Sequence, residues 1–224
     1  MNRRIFLKSG ASTAVLALAG CSAKDPEVAK KIALRQAQNS AWNRYESVYG
    51  FVSGEQFPIP AVNLRVVNPR YFRREVENDT GYPPGTMLVD TGRFYLFWTQ
   101  TGGTAMRYGV GLGKAGFSWN GTGIIQWKQK WPKWTPPEEM ILRQPELEEF
   151  SAANGGMSPG INNPLGARAL YIFQNGEDTL YRVHGSPEAS SIGRAVSSGC
   201  VRLLNQDVID LYSRVPTGSP IVVT

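Results

Sequence analysis

Two side chains in this sequence can do nucleophilic chemistry together. They are His184, the only histidine of the 224 residues, and Cys200, one of two cysteines. A thiol attacks well only as a thiolate, so it needs a base, and the oxyanion it creates needs hydrogen-bond donors. His184 is the only imidazole in the chain, which forces the choice of base. Each member of the pair lies beside a glycine, Gly185 and Gly199, and glycine permits a tight turn and close approach of a substrate to the backbone. The backbone N–H groups of Gly199 and Cys200 are the candidate oxyanion donors. The plain alternative is that a buried cysteine and a lone histidine are packing residues. The surrounding pattern decides between the two.

The run His184–Leu203, HGSPEASSIGRAVSSGCVRL, resembles the signature of the L,D-transpeptidase (YkuD-type) catalytic domain, whose cysteine enzymes cross-link bacterial peptidoglycan. Residues 159–171 (PGINNPLGARALY), 181–184 (YRVH) and 191–194 (SIGR) resemble further blocks of that family, and 134–140 (WTPPEEM) resembles its ErfK/YbiS branch. The resemblance covers residues 85–224. It implies a mainly β fold, a β-sandwich or distorted barrel with a few short helices. It also implies a peptidoglycan stem tetrapeptide ending in D-Ala as substrate and a thioester on Cys200. The backbone carbonyl of Gly185 would orient His184, with Asp178 and Asp207 as other candidates for that task. Many relatives carry His or Asn where this chain has Ser198, a departure that leaves the base in place and keeps a hydroxyl donor. Ser197 reads as bonding within its own turn. Arg202 either binds a substrate carboxylate or locks the loop by pairing with an acid. Residues 186–190 lack the aromatic common after the His-Gly pair, which bears on the choice of acyl acceptor.

The N-terminus indicates the compartment. Arg3 and Arg4 followed by Phe6, Leu7 and Lys8 form a twin-arginine pattern, and an apolar, small-residue run from Ala14 leads to Cys21. That run is too short to span a bilayer, which takes about 20 apolar residues. Leu18–Cys21 resembles a lipobox, so Cys21 is the expected site of lipidation, and Ser22 after it favours the outer membrane. Ordinary cleavage nearby, releasing a soluble protein, is the alternative. A lipidated Cys21 leaves Cys200 as the one thiol of an exported domain, in a compartment that oxidises thiol pairs. The expected location is periplasmic and membrane-anchored, with stem peptides as partners and a wall-anchored protein as a further acceptor.

Charge excludes more than it assigns. The chain carries 24 Lys and Arg against 18 Asp and Glu, a net of +6, and Arg3, Arg4 and Lys8 fall within the signal. The remaining basic residues alternate with acids, as a solvated surface does, so no nucleic-acid partner is expected. One histidine and one mature cysteine fall short of a zinc shell, and Gly109–Gly113 lacks the spacing of a phosphate loop. No metal or other cofactor is expected.

The elements that must hold the pair read as follows. Residues 1–21 are signal, 22–84 a helical tether (Pro26–Tyr49) with a connecting segment over 61–80, and 85–224 the catalytic domain. Pro58 and Pro60 enforce extended chain. Strands are expected at 87–90, 94–99, 105–111, 170–174, 179–183 and 221–224, with a hairpin loop at Asn175–Asp178. A helix is expected over 205–214, capped by Asn205 and stopped before Pro216. Trp127, Trp131 and Trp134 read either as a groove for glycan or peptide or, as their buried area favours, as the core of a flap. The competing readings of the whole are a carboxypeptidase or amidase on the same wall substrates, and an inactive wall-binding lipoprotein.

Overall fold

The computed structural model describes residues 25–113, 120–197 and 199–224. The twin-arginine pattern, the lipobox with Cys21, and Ser198 lie outside the described residues. The chain divides into two compact units, Met1–Trp42 and Asn43–Thr224. Helix α1 (Pro26–Val48) begins in the first and ends in the second, and no residue of it is buried.

The second unit is built on a nine-stranded sheet. Its spatial order is β1 (Arg74–Glu77), β4 (Thr104–Gly109), β3 (Tyr95–Thr99), β2 (Met87–Asp90), β11 (Pro220–Val223), β6 (Gly121–Lys130), β7 (Arg168–Gln174), β8 (Glu177–Ser186) and β10 (Val201–Leu204). Neighbours run antiparallel except β2 with β11 and β8 with β10. A pair of bonds between Gly111 and Arg202, 2.9 and 2.8 Å, ties the chain leaving β4 to the last strand, so the sheet curls back on itself. A parallel pair, β5 (Leu112–Gly113) with β9 (Ala195–Ser197), continues that seam. The mainly β expectation holds.

Side chains alternate between the faces of a strand. Met87, Val89, Leu96, Leu170, Ile172, Val183, Val201, Leu203, Ile221 and Val223 therefore enter one core; after the short helix α2 (Glu138–Arg143), helix α3 (Asn205–Arg214) closes that core with Val208 and Leu211. Each fully buried aliphatic side chain there contributes about 2 kcal/mol.

Three expectations are corrected. The stretch read as part of a Trp/Pro flap includes the ten-residue central strand β6. Its inward Lys128 hid the alternation, and the ammonium reaches the carbonyls of Tyr212 and Val215, 2.8 and 2.6 Å away, at the end of α3. The three tryptophans have separate partners: Trp127 stacks on Tyr171, whereas buried Trp131 packs on Phe57 and donates to Glu55. Asn205 is the first residue of α3, not its cap, because its Oδ1 accepts the N–H of Ala167 at 2.9 Å. The segment 61–80 packs on the unit through two Asn-capped 3-10 turns, and its end supplies the edge strand β1.

Candidate active site

The site is set by the register of β7, β8 and β10. Arg202 of β10 lies opposite His184 of β8, and Val201 opposite Val183. On the other side, Ala169 of β7 lies opposite His184 and Tyr171 opposite Arg182. Since Val183 and Val201 point into the core, Arg182, His184 and Arg202 share the other face. Cys200 precedes β10 by one residue and so falls beside Arg182, on the face of His184 and one strand over. A hydrogen bond at the Arg182 backbone reaches the Cys200 thiol. The two sequence candidates are thereby brought together as diagonal neighbours.

His184 is 3% exposed. Its Nδ1 lies 2.6 Å from the carbonyl oxygen of Gly185. A carbonyl only accepts, so Nδ1 carries the proton and Nε2 keeps its lone pair. Burial pushes the imidazole down to about 4, and the Arg202 and Arg182 charges push the same way against the Gly185 bond. At neutral pH the ring is therefore an uncharged base. Burial also pushes the Cys200 thiol above its ordinary range, although the residue as a whole is only half-buried, while the Arg182 backbone bond and the two guanidiniums favour the thiolate. The resting pair is imidazole and thiol, with cationic groups placed to steady the anion once the proton moves.

Two glycines make this geometry possible. A Cβ on Gly185 would stand 2.3 Å from Asn205 Oδ1 and 3.0 Å from Val208 Cγ1, so α3 presses on the residue whose carbonyl holds His184. Gly199 has φ +134°, and a Cβ there would meet the Tyr181 ring at 3.1 Å.

Arg202 pairs with Glu188 at 3.3 Å, and Asp178 with Arg182 at 2.6 Å. Asp207 accepts from the Tyr49 hydroxyl and faces Arg73. Neither aspartate is the partner of His184 Nδ1, which Gly185 holds. Ser197 ends β9, and Gly199 is buried. Among the described residues no group of three or more His, Cys, Asp or Glu could hold a metal, and no helix is long and apolar enough to cross a membrane. A cavity of about 340 Å³ opens beyond Ser186 between Pro60, Pro187, Leu204 and Gln206, and Cys200 does not line it. Sequence reasoning did not single out Arg182 or Tyr171. The alternation in Tyr181–His184 would have put Arg182 on the histidine's face, but its neighbours depend on register between distant strands.

The model of the YkuD L,D-transpeptidase catalytic domain matches residues 84–223. The probable L,D-transpeptidase YbiS of Escherichia coli K12 is 31% identical over 140 residues, 59% of this chain and 42% of that protein. The probable L,D-transpeptidase ErfK/SrfK of the same strain is 32% identical over the same shares. The chain thus spans under half the length of these curated relatives. A crystal structure from Brucella melitensis, titled a probable carnitine operon oxidoreductase, is 41% identical over 72% of this chain and 99% of that one, with a TM-score of 0.49.

Proposed function

Because the chain belongs to the YkuD family of L,D-transpeptidase catalytic domains, we propose that it is a cysteine-dependent transpeptidase acting on peptidoglycan stem tetrapeptides. One observation carries this reading. His184 on β8 and Cys200, one residue ahead of the adjacent β10, fall on one face, with the Nδ1 proton of the imidazole held by Gly185 and the Nε2 lone pair left to take a proton.

Cys200 Sγ attacks the carbonyl joining the third residue, a diamino acid, to the terminal D-Ala as its proton passes to His184 Nε2. The backbone N–H groups of Gly199 and Cys200 serve the tetrahedral oxyanion, and Ser198, next in sequence, supplies a further hydroxyl donor. The C–N bond then breaks, the imidazolium gives its proton to the departing amine, and D-Ala leaves a thioester behind. The side-chain amine of a second stem attacks that thioester and yields a 3→3 cross-link. An amine on a protein would instead attach that protein to the wall. Pairing with Glu188 supports a loop-locking role for Arg202. Residues 1–21 act as a twin-arginine signal, Cys21 is the lipid anchor to the outer membrane facing the periplasm, and residues 85–224 carry the chemistry.

The test is product analysis with purified protein, a stem tetrapeptide and a diamino-acid acceptor. D-Ala release with formation of an amide product is expected, and Cys200→Ala should lower it by at least about 10³-fold. Release of D-Ala with no amide product would make the chain a carboxypeptidase. No release would favour an inactive wall-binding protein.

A further inference from the structure

We propose that the aromatic row beside the nucleophile, Trp127–Tyr171–Arg182, is the binding site for the sugar that carries the donor stem, so that the chain selects glycan-linked stems over free peptides. This rests on the transpeptidase reading and names the part of the substrate the row would take.

The row is a product of register. Trp127 of β6 lies opposite Tyr171 of β7, Tyr171 opposite Arg182 of β8, and Cys200 follows on the next strand. All four lie on one face, in line across the sheet. The Trp127 and Tyr171 rings stack with centroids 4.3 Å apart and 30° between planes, and the Arg182 guanidinium lies 4.4 Å over Tyr171. Two bonds from Arg182 to Asp178, 2.6 and 2.7 Å, fix that guanidinium in turn. The chain of contacts holds the indole in one orientation, yet Trp127 is 51% exposed. β11 pairs with β6 from Gly121 to Ile124, with backbone bonds reaching Ile125, so among the described residues no strand pairs alongside Trp127 and the row ends there. Tyr171 is only 9% exposed and the Arg182 side chain 14%, so they fix the indole and the indole is the surface left open; a fixed aromatic face costs little ordering when a ligand packs on it.

Chemistry and span select the ligand. The only cation in the row is already neutralised by a bidentate carboxylate, so the platform suits an uncharged, weakly polar surface, such as the C–H face of a pyranose, over a charged peptide end. Neighbouring strands are about 4.8 Å apart, which puts Trp127 about 14 Å from Cys200. Three stem residues separate the attacked carbonyl from the sugar. Extended, they reach about 10 Å, and the ether link to the sugar carries the chain onward to the indole.

The experiment compares two donors, a free tetrapeptide and the same peptide on its disaccharide, by D-Ala release. The native chain should prefer the disaccharide donor about 10-fold in kcat/KM. Trp127→Ala should collapse that preference and Trp127→Tyr, which keeps a flat ring, should retain most of it. A native chain that treats both donors alike, or a preference that survives Trp127→Ala, overturns the proposal. A second arm does not depend on turnover. The peptide-free disaccharide, titrated into the Cys200→Ala protein, should quench tryptophan fluorescence in the millimolar range, and the further change Trp127→Ala should abolish that response. Absence of a Trp127-dependent response overturns the sugar site even in an active enzyme. Absence of D-Ala release from either donor overturns the transpeptidase reading and leaves the binding arm to decide this one.

Discussion

At the scale of single residues, the site works through burial. Enclosure lowers His184 to about 4 and raises Cys200, so the pair rests uncharged, and in the proposed mechanism the proton moves as a substrate carbonyl is attacked. The active form of the base is neutral imidazole, which is lost only when pH falls through its folded pKa. D-Ala release should therefore hold steady from pH 7 to pH 5 and fall near pH 4, where an ordinary histidine would already fail near 6.5. A kcat/KM profile of the free enzyme checks this, and an acidic limb centred at 6.5 would contradict it. Gly185 gives a second residue-scale test. Its missing Cβ makes room for Asn205 Oδ1, so Gly185→Ala should displace the carbonyl that orients His184 and cut activity at least 10-fold while the protein stays folded by circular dichroism.

At the scale of elements, the loop between Val52 and Ile59 is pinned under the sheet. Glu55 accepts two bonds from nearly buried Arg168, 2.6 and 2.8 Å, and a third from the Trp131 indole. The Arg168 bonds hold the Glu55 carboxyl below the usual carboxylate range, so its contribution is present above about pH 4.5 and lost as pH falls through the lower folded value. Glu55→Gln leaves Arg168 buried without its counter-charge and should cost about 3 kcal/mol in urea unfolding at pH 7. Equal stability of the two proteins would refute the pin. Strands with β-branched or aromatic alternation, such as 87–90 and 170–174, were legible in the sequence, as was the helix over 205–214. β1 was not, because an exposed edge reads as the charged run Arg-Glu-Val-Glu, nor β6, where an inward lysine finds carbonyls only after the chain has folded. His184 and Cys200 were legible because each is nearly unique in composition. The row beside them was not, since it exists only in the pairing of β6, β7, β8 and β10.

At the scale of the whole unit, one buried carboxyl on α3 gathers Tyr49 and Arg73 from the chain ahead of the sheet. Asp207 is fully buried, accepts from the Tyr49 hydroxyl at 3.2 Å and faces Arg73 Nε at 3.7 Å. Burial raises it from 3.8 to about 7 despite Arg73. A carboxyl with a raised folded pKa stabilises the protein fully below its unfolded value, and that contribution is lost as pH climbs through the folded one. Below about pH 6.5 the lowered His184 pulls the other way, so melting temperature should decline chiefly between about pH 6.5 and pH 8, and Asp207→Asn should remove that decline. Parallel curves for the two proteins would contradict this. The central claim is that Cys200, activated by His184, is the group that takes the acyl chain. Intact-protein mass spectrometry after incubation with a carbapenem, whose strained carbonyl presents itself to the same oxyanion donors, tests it most directly. One covalent adduct is predicted, mapping to Cys200, absent from Cys200→Ala and formed much more slowly by His184→Gln. An adduct that persists in Cys200→Ala, or none on the native protein, would contradict the account.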